Sequence, residues 1–223
     1  MKYKAVIFDL YGTLFHSWSQ ELDEIMLTQM ASILLVNKAD FVKMWHATTD
    51  NRMTGVFQSY EICIREICRR LGVTVTDEQV NSAASLRTEQ ASLEVKLHHG
   101  SIDVLSKLKT QGYRTGLISN LSFMGVKFWK ASLLAPLVDV AVLSCVEHMK
   151  KPDPRIFLTA SERLVVKPEA CIYVADGMDN ELEAAAAVGM TPVLIHHPGE
   201  PVTIGSSWQG PTISYLMEVS NFL

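Results

Sequence analysis

The sequence has no long hydrophobic run, no cluster of basic residues and no signal-peptide pattern. Its apolar runs are short, such as residues 33–36, and fall far short of the ~20 residues that a membrane-spanning helix needs. Lys and Arg number 20 against 24 Asp and Glu, which gives a formal net charge of −4. Because no basic stripe stands out, nucleic acid is not an expected partner. We therefore expect a cytoplasmic protein without a membrane segment.

The four cysteines form neither a CxxC pair nor a cluster with histidine. They stand at positions 63, 68, 145 and 171, within helical or strand-like patterns. This placement predicts small buried side chains in a reducing compartment rather than a disulfide framework or a zinc site. Hydrophobic residues make up 48% of the chain, which is enough to build a buried core.

Short apolar runs indicate a parallel β-sheet. Each run is apolar nearly throughout, as is typical of strands that are buried on both faces. Helical patterns separate the later runs, and strand–helix alternation predicts an α/β fold with a doubly wound, Rossmann-like parallel sheet. The runs are residues 5–8, 115–118, 140–143, 171–174 and 192–195.

About a hundred residues separate the first run from the second, too many for a single crossover connection. The sequence of these residues shows several amphipathic helical patterns. The segment that starts at Thr76 and includes Gln79 matches a capping box, which marks the start of a helix. We therefore predict an α-helical cap over residues 15–97, inserted into a core formed by residues 1–14 and 98–223.

Polar residues follow the apolar runs at the points where the predicted strands end. Ligands bind at the carboxyl ends of the strands in such sheets, so these side chains are candidates for one site. Neighbouring carboxylates repel each other unless a proton or a metal intervenes, and Mg²⁺ prefers carboxylate and carbonyl oxygens. The residues are Asp9 after the first run, Ser119 and Asn120 after the second, Lys151 beyond the third, and Asp176, Asp179 and Glu181 after the fourth.

In this order, four segments resemble the motifs of the haloacid dehalogenase superfamily, in its branch with a helical cap after the first strand. The resemblance covers essentially the whole chain. The first segment carries Asp9, Tyr11 and Thr13, and the third opens with Lys151, Pro152 and Asp153. The segments are residues 6–14, 117–120, 151–157 and 174–177.

The resemblance implies a hydrolase that works through a covalent intermediate. Asp9 would be the nucleophile and would form an aspartyl-phosphate or aspartyl ester, which divides a difficult displacement into two easier steps. Ser119 and Lys151 would hold the transferring group. Asn120 and Tyr11 are predicted to contact the substrate, a small phosphorylated metabolite or another small anion.

The resemblance also implies a Mg²⁺ cofactor. Asp9, Asp176 and the backbone carbonyl of Tyr11 would hold the ion, and Asp179 or Glu181 would be an acid in its outer shell. The metal would neutralise charge that develops on the phosphoryl oxygens.

Position 11 departs from the usual phosphatase motif, which has a second Asp there as the general acid and base. A phenol with a pKa of ~10 is a poor general base at neutral pH. Haloacid dehalogenases of the same superfamily have Tyr in this place and need no metal, whereas the acidic cluster around Asp176 favours a Mg²⁺-dependent phosphatase.

Three functions therefore stay open. The preferred one is hydrolysis of a small phosphate ester or related phosphorylated metabolite with Mg²⁺. The alternatives are a metal-independent 2-haloacid dehalogenase and a catalytically decayed binding or regulatory protein on the same scaffold.

Two histidine pairs fall outside the motifs. His98 and His99 precede Gly100 at the predicted cap–core junction, where hinge or surface roles are expected. His196 and His197 follow the last apolar run and are expected in a loop.

Overall fold

The computed structural model describes residues 2–200 and 208–223, without the side chains of residues 93 and 94. Its six parallel strands form a single sheet, in which the third, second, first, fourth, fifth and sixth strands along the chain lie side by side in that order. All five predicted runs are strands, and the doubly wound α/β fold is confirmed. The sixth strand has only two residues and was not predicted. The strands are β1 (Ala5–Phe8), β2 (Arg114–Ser119), β3 (Val140–Leu143), β4 (Cys171–Ala175), β5 (Thr191–Ile195) and β6 (Thr212–Ile213).

The central strand β1 determines where polar groups can meet. Its residues are all buried, and Phe8 is paired with Leu117 of β2 on one side and with Val174 of β4 on the other. From β1 the chain builds the sheet first towards β3 and later, from β4, towards β6. The carboxyl ends of β1 and β4 therefore flank the point where the strand order reverses, which is where such sheets bind ligands.

Helices cover both faces of the sheet. Val104 and Leu105 of the helix at residues 101–110 belong to the hydrophobic cluster on one face, and Ile156 and Phe157 of the helix at residues 154–164 belong to the cluster on the other. The core helices are α6 (Ser101–Thr110), α7 (Phe123–Ala131), α8 (Ser144–Glu147), α9 (Pro154–Leu164) and α10 (Glu181–Ala187). Short 3₁₀ turns occupy Ala135–Leu137, Pro168–Ala170, Met178–Asn180 and Leu216–Phe222.

Five helices lie between β1 and α6 and have a hydrophobic cluster of their own, centred on Trp45, Phe41 and Ile64. The capping box at Thr76 is confirmed, because Thr76 and Gln79 exchange side-chain-to-backbone hydrogen bonds. The helices are α1 (Gln20–Leu34), α2 (Lys38–Ala47), α3 (Thr49–Met53), α4 (Tyr60–Arg70) and α5 (Asp77–Glu94).

The cap boundaries at residues 14/15 and 97/98 stay a prediction. The separate hydrophobic cluster supports them, and so does a bridge between Phe15 and Leu97 that brings the two connections side by side. Within the described ranges, no single helix is long and apolar enough to cross a membrane. The α1–α2 pair meets that test only jointly and is bent by 116°.

A glycine lies at a close approach between the inserted helices and the core. Gly55 has φ +76°, and a Cβ there would overlap the backbone carbonyl of Cys145 at the start of α8. Two polar contacts flank this approach. His148 Nδ1 lies 3.0 Å from the Thr54 carbonyl oxygen and donates to it, and Lys150 pairs with Asp50 at 2.9 Å. Glycine is thus required here both for its backbone conformation and for the space it leaves.

We expect Gly55→Ala to lower the free energy of unfolding by more than Gly72→Ala does. Gly72 also has a positive φ, of +71°, but nothing lies within 4 Å of its Cβ position, so alanine there costs only the ~1–2 kcal/mol of the left-handed conformation. At Gly55 the backbone of α8 must also move. Urea unfolding of both variants measures the difference, and equal losses would contradict the close packing at Gly55.

Candidate active site

Asp9 and Asp176 lie side by side at the carboxyl edge of the sheet. Asp9 follows β1, and its backbone N–H donates to the carbonyl of Val174 at 2.9 Å, which continues the ladder between β1 and β4. Asp176 follows β4, and both carboxylates are buried. Gly12 has φ +78°, and a Cβ there would collide with the Asp176 carboxylate. Glycine therefore lets the loop after β1 close against Asp176.

Lys151 brings a buried positive charge to this edge. It comes from the loop between α8 and α9, and its Nζ lies 2.5 Å from both Asp9 Oδ1 and Glu181 Oε2. Glu181 is fully buried at the start of α10, and its other carboxylate oxygen accepts from the Gly177 N–H at 3.2 Å. The ammonium is thus held between two carboxylates from distant parts of the chain.

Tyr173 completes this network, and the sequence interpretation missed it. Its hydroxyl donates to Glu181 Oε2 at 2.6 Å and accepts from Lys151 Nζ at 3.2 Å. In the sequence, Tyr173 is one member of an apolar strand. The available signal was its phenolic oxygen, since a buried tyrosine hydroxyl usually finds a hydrogen-bond partner.

The site holds more negative than positive charge. Asp9, Asp176 and Glu181 each have a carboxylate oxygen that lies within 4.8 Å of the other two. In the described residues, 2–200 and 208–223, Lys151 is the one lysine whose ammonium forms ion pairs with this cluster, through Asp9 and Glu181. This excess is costly in a buried site.

The pKa values of these carboxyls reflect the cost of burying their negative charge. Burial raises the pKa of Asp9 to about 7, although Lys151 offsets part of the effect. Burial, together with Asp9, raises the pKa of Asp176 to about 6, and burial also raises the pKa of Glu181. Burial acts to lower the pKa of Lys151, but Asp9 and Glu181 outweigh it and raise that pKa, so the ammonium stays charged.

These residues fit a hard divalent cation. Their donor atoms are carboxylate oxygens, which Mg²⁺ prefers, and a cation would balance their excess negative charge. Gly12 leaves the space in which the loop carrying Asp9 approaches Asp176. The predicted ligand pair Asp9 and Asp176 is therefore brought together, and the Tyr11 carbonyl as a third ligand stays a prediction.

Asn120 and Asp179 lie at the rim of the site. The Asn120 amide oxygen accepts from the Lys151 N–H at 2.8 Å, and its nitrogen donates to the Lys151 carbonyl at 3.2 Å and to Asp179 Oδ2 at 2.9 Å. Asn120 thus ties the Lys151 loop to the end of β2. Ser119 is buried as the last residue of β2. Substrate contacts of Ser119 and Asn120 stay predictions.

Tyr11 packs against aromatic side chains on the way into the inserted helices. Its ring meets Phe15 edge-on at a centroid distance of 5.6 Å and Trp18 at 6.2 Å. Trp18 donates to Asp23 at 3.1 Å, and Asp23 also pairs with Arg87. Position 11, where phosphatases of the resembled superfamily usually have a second Asp, is therefore part of an aromatic contact here.

The chain is similar to proteins of two activities. It is 27% identical over 195 residues to an (S)-2-haloacid dehalogenase of Pseudomonas putida. The aligned region covers 82% of this chain and 79% of that dehalogenase. It is 29% identical over 132 residues to a glyceraldehyde 3-phosphate phosphatase of Methanopyrus kandleri, which covers 58% of this chain. The match spans 56% of that phosphatase's length.

A structural comparison and a family comparison are both consistent with these relatives. The crystal structure of a HAD phosphatase from Thermococcus onnurineus superposes with a TM-score of 0.70 at 22% identity, over 98% of this chain and 97% of that one. At this identity the likeness concerns the fold alone. The haloacid dehalogenase-like hydrolase family matches residues 3–189, most of the chain. The resemblance inferred from the four motifs is thereby confirmed, and this protein belongs to the haloacid dehalogenase-like hydrolases.

Proposed function

We propose that the protein hydrolyses a small phosphate ester or a related phosphorylated metabolite, with Asp9 as the nucleophile and Mg²⁺ as the cofactor. The observation that supports this most is the buried cluster of Asp9, Asp176 and Glu181 around Lys151. Three carboxylates with one ammonium suit a site that is completed by a divalent cation.

In this proposal Asp9 and Asp176 hold the ion, together with the Tyr11 carbonyl. When bound, Mg²⁺ neutralises charge on the phosphoryl oxygens. Glu181 is the better candidate for the outer-shell acid, because it is buried against Lys151 and Tyr173. Asp179 is exposed and bonds to Asn120 instead.

The covalent step is carried by Asp9. A carboxylate oxygen attacks phosphorus, the bond from phosphorus to the ester oxygen breaks, and the alcohol leaves after it takes up a proton. Water then attacks the phosphorus of the aspartyl-phosphate and loses a proton to the solvent. The bond between phosphorus and the Asp9 oxygen breaks, which releases inorganic phosphate and restores the carboxylate. Lys151 favours the ionised form of Asp9 that the first step needs, and with Ser119 it would hold the transferring group.

Tyr11 restricts the substrates that this site handles well. A phenol is a weak base for activating water at neutral pH. Aryl and acyl phosphates have leaving groups that need little protonation. These substrates should therefore react faster than alkyl phosphates.

Metal-independent dehalogenation of a 2-halo acid is the second candidate. The aromatic packing of Tyr11 favours it, because a halide leaves without a proton and needs no carboxylate at that position. Asp9 would then attack carbon 2, the carbon–halogen bond would break, and water would hydrolyse the resulting ester on Asp9.

Mg²⁺ should raise the Tm of the protein by more at about pH 8 than at about pH 5.5. The raised pKa values of about 7 for Asp9 and about 6 for Asp176 mean that protons compete with the metal at the lower pH. Without metal, both carboxyls stabilise the fold below their unfolded pKa, and this stability is lost as the pH rises through 6 to 7. Thermal melts with EDTA and with millimolar Mg²⁺ measure the increment.

The matched controls for this measurement are Asp176→Asn and Asp179→Asn. The first should abolish the Mg²⁺ increment, and the second should keep it, because Asp179 is exposed and lies outside the buried carboxylate cluster. An increment that survives in Asp176→Asn would remove Asp176 from the metal site.

Asp9→Asn should lower the hydrolysis rate by ~10³-fold or more, because an amide is not an effective nucleophile and the change is nearly isosteric. Circular dichroism and thermal melts should show an intact fold. Asp103→Asn, at an exposed position on α6, is the control and should keep the parent rate. Parent activity in Asp9→Asn would exclude Asp9 as the nucleophile.

Tyr11→Asp should raise the turnover of alkyl phosphates by about tenfold, because it supplies a carboxylate where an acid–base group is missing. Tyr11→Phe is the control and should leave these rates close to those of the parent. The substrates are p-nitrophenyl phosphate, a sugar phosphate and 2-chloropropionate, each with Mg²⁺ and with EDTA.

Three results of this assay separate the candidate functions. Phosphate release that needs Mg²⁺ supports the phosphatase. Halide release that persists in EDTA, without phosphate release, supports the dehalogenase. Absence of turnover on a broad panel of phosphates and halo acids would point to a decayed scaffold.

A further inference from the structure

A second cluster of metal-binding side chains lies where the inserted helices join the core. His16 stands on the connection that leaves the core, His98 on the connection that returns, and Glu200 in the loop after β5. The connections run side by side, since the His16 N–H donates to the carbonyl of Lys96 and the His98 N–H to that of Leu14, each at 2.9 Å. Three distant segments thus meet here.

The ligand atoms of the cluster are already close together. His16 Nδ1 lies 2.6 Å from Glu200 Oε1, and His98 Nε2 lies 3.5 Å from the same oxygen. All three ligand atoms lie within 4.8 Å of one another. A metal ion with bonds of ~2.0–2.2 Å to nitrogen and oxygen would need only small side-chain adjustments to be held by all three.

His98 supplies an independent sign that a ligand belongs here. The residue is only 6% exposed, and its Nε2 has no hydrogen-bond partner in the part of the chain that the structure describes. Burial, with the neighbouring His197 and His16, lowers the pKa of His98 to about 4. A neutral, buried imidazole nitrogen that points at a carboxylate without a hydrogen bond is costly unless something else binds it.

His197 supports the cluster without being a ligand through Nε2. That atom donates to the Thr13 carbonyl at 2.8 Å, and the ring stacks on the His98 ring at 3.5 Å with an interplanar angle of 14°. The stacking fixes the plane of the His98 ring, as a second layer of residues often does around metal ligands.

We propose that His16, His98 and Glu200 bind a divalent transition metal of the zinc type, at a site separate from the carboxylate cluster around Asp9. Two imidazole nitrogens and one carboxylate oxygen suit Zn²⁺, whereas the all-oxygen cluster suits Mg²⁺. Three protein ligands leave a fourth position for water.

A metal here would couple the inserted helices to the core. Its ligands come from both connections and from the loop after β5, so one ion would tie three segments that are otherwise joined by hydrogen bonds and ring contacts. The bound metal would therefore restrict movement at the junction. Its link to the active-site loop is short, because the Thr13 carbonyl accepts from His197 and Thr13 lies four residues after Asp9.

The test measures Zn²⁺ binding by the full-length protein after removal of metals with EDTA. Zn²⁺ is titrated against a chromophoric chelator, in millimolar Mg²⁺ that occupies the carboxylate cluster. We expect one Zn²⁺ per chain. His98→Gln and Glu200→Gln should weaken binding by at least about tenfold, and the exposed neighbour variant His99→Gln should bind like the parent.

Co²⁺ provides a second readout that reports on the ligands themselves. Imidazole ligation should give a visible absorption spectrum that is lost in His16→Gln, an exposed position where the substitution does not endanger folding. The spectrum should persist in Asp176→Asn, in which the carboxylate cluster is damaged.

Two results would overturn the proposal. The first is a parent protein that binds no Zn²⁺. The second is binding that is unchanged in His16→Gln and His98→Gln and is lost in Asp176→Asn, because the metal would then sit at the carboxylate cluster.

Discussion

The contact of the Lys151 ammonium with Asp9 and Glu181 is the interaction on which the site depends. Buried carboxylates this close would repel each other strongly, and one buried cation both reduces the repulsion and holds them in place. The arrangement requires β1, β4, α10 and the loop before α9 to keep their relative positions, since each carries part of the network. The sheet is the rigid frame, because the site residues follow strands whose buried faces are fixed by helices on both sides.

Tyr11 and Asp176 favour different chemistry at the same site. Asp176 adds negative charge that a cation would balance. Tyr11 stands where the resembled phosphatases have an aspartate that acts as general acid and base. Its ring packs against Phe15 and Trp18, so the position is committed to an aromatic contact between the core and the inserted helices.

The inserted helices have a hydrophobic cluster of their own. Their hydrophobic cluster is separate from those of the sheet, and Gly55 brings them against α8. Their two connections leave and return beside the loop that carries Asp9, since Phe15 forms bridges with both Tyr11 and Leu97. The histidines at this junction share Glu200 as a neighbour, which makes the junction a chemically distinct region rather than a simple linker.

The sequence by itself determined the sheet and the helices that follow β1, and it named several of the residues that the structure brings together at the candidate site. Buried parallel strands need continuous apolar runs, and the capping box at Thr76 is a local interaction, so both can be read from neighbouring residues. The strand Thr212–Ile213 has too few residues to form such a pattern. Only the tertiary structure distinguished Glu181 from Asp179, because burial depends on where α10 begins against the sheet. It alone placed the Tyr173 hydroxyl beside Lys151 and brought His16, His98 and Glu200 together. Those contacts join residues far apart in the chain, and no local pattern encodes which distant segments will become neighbours.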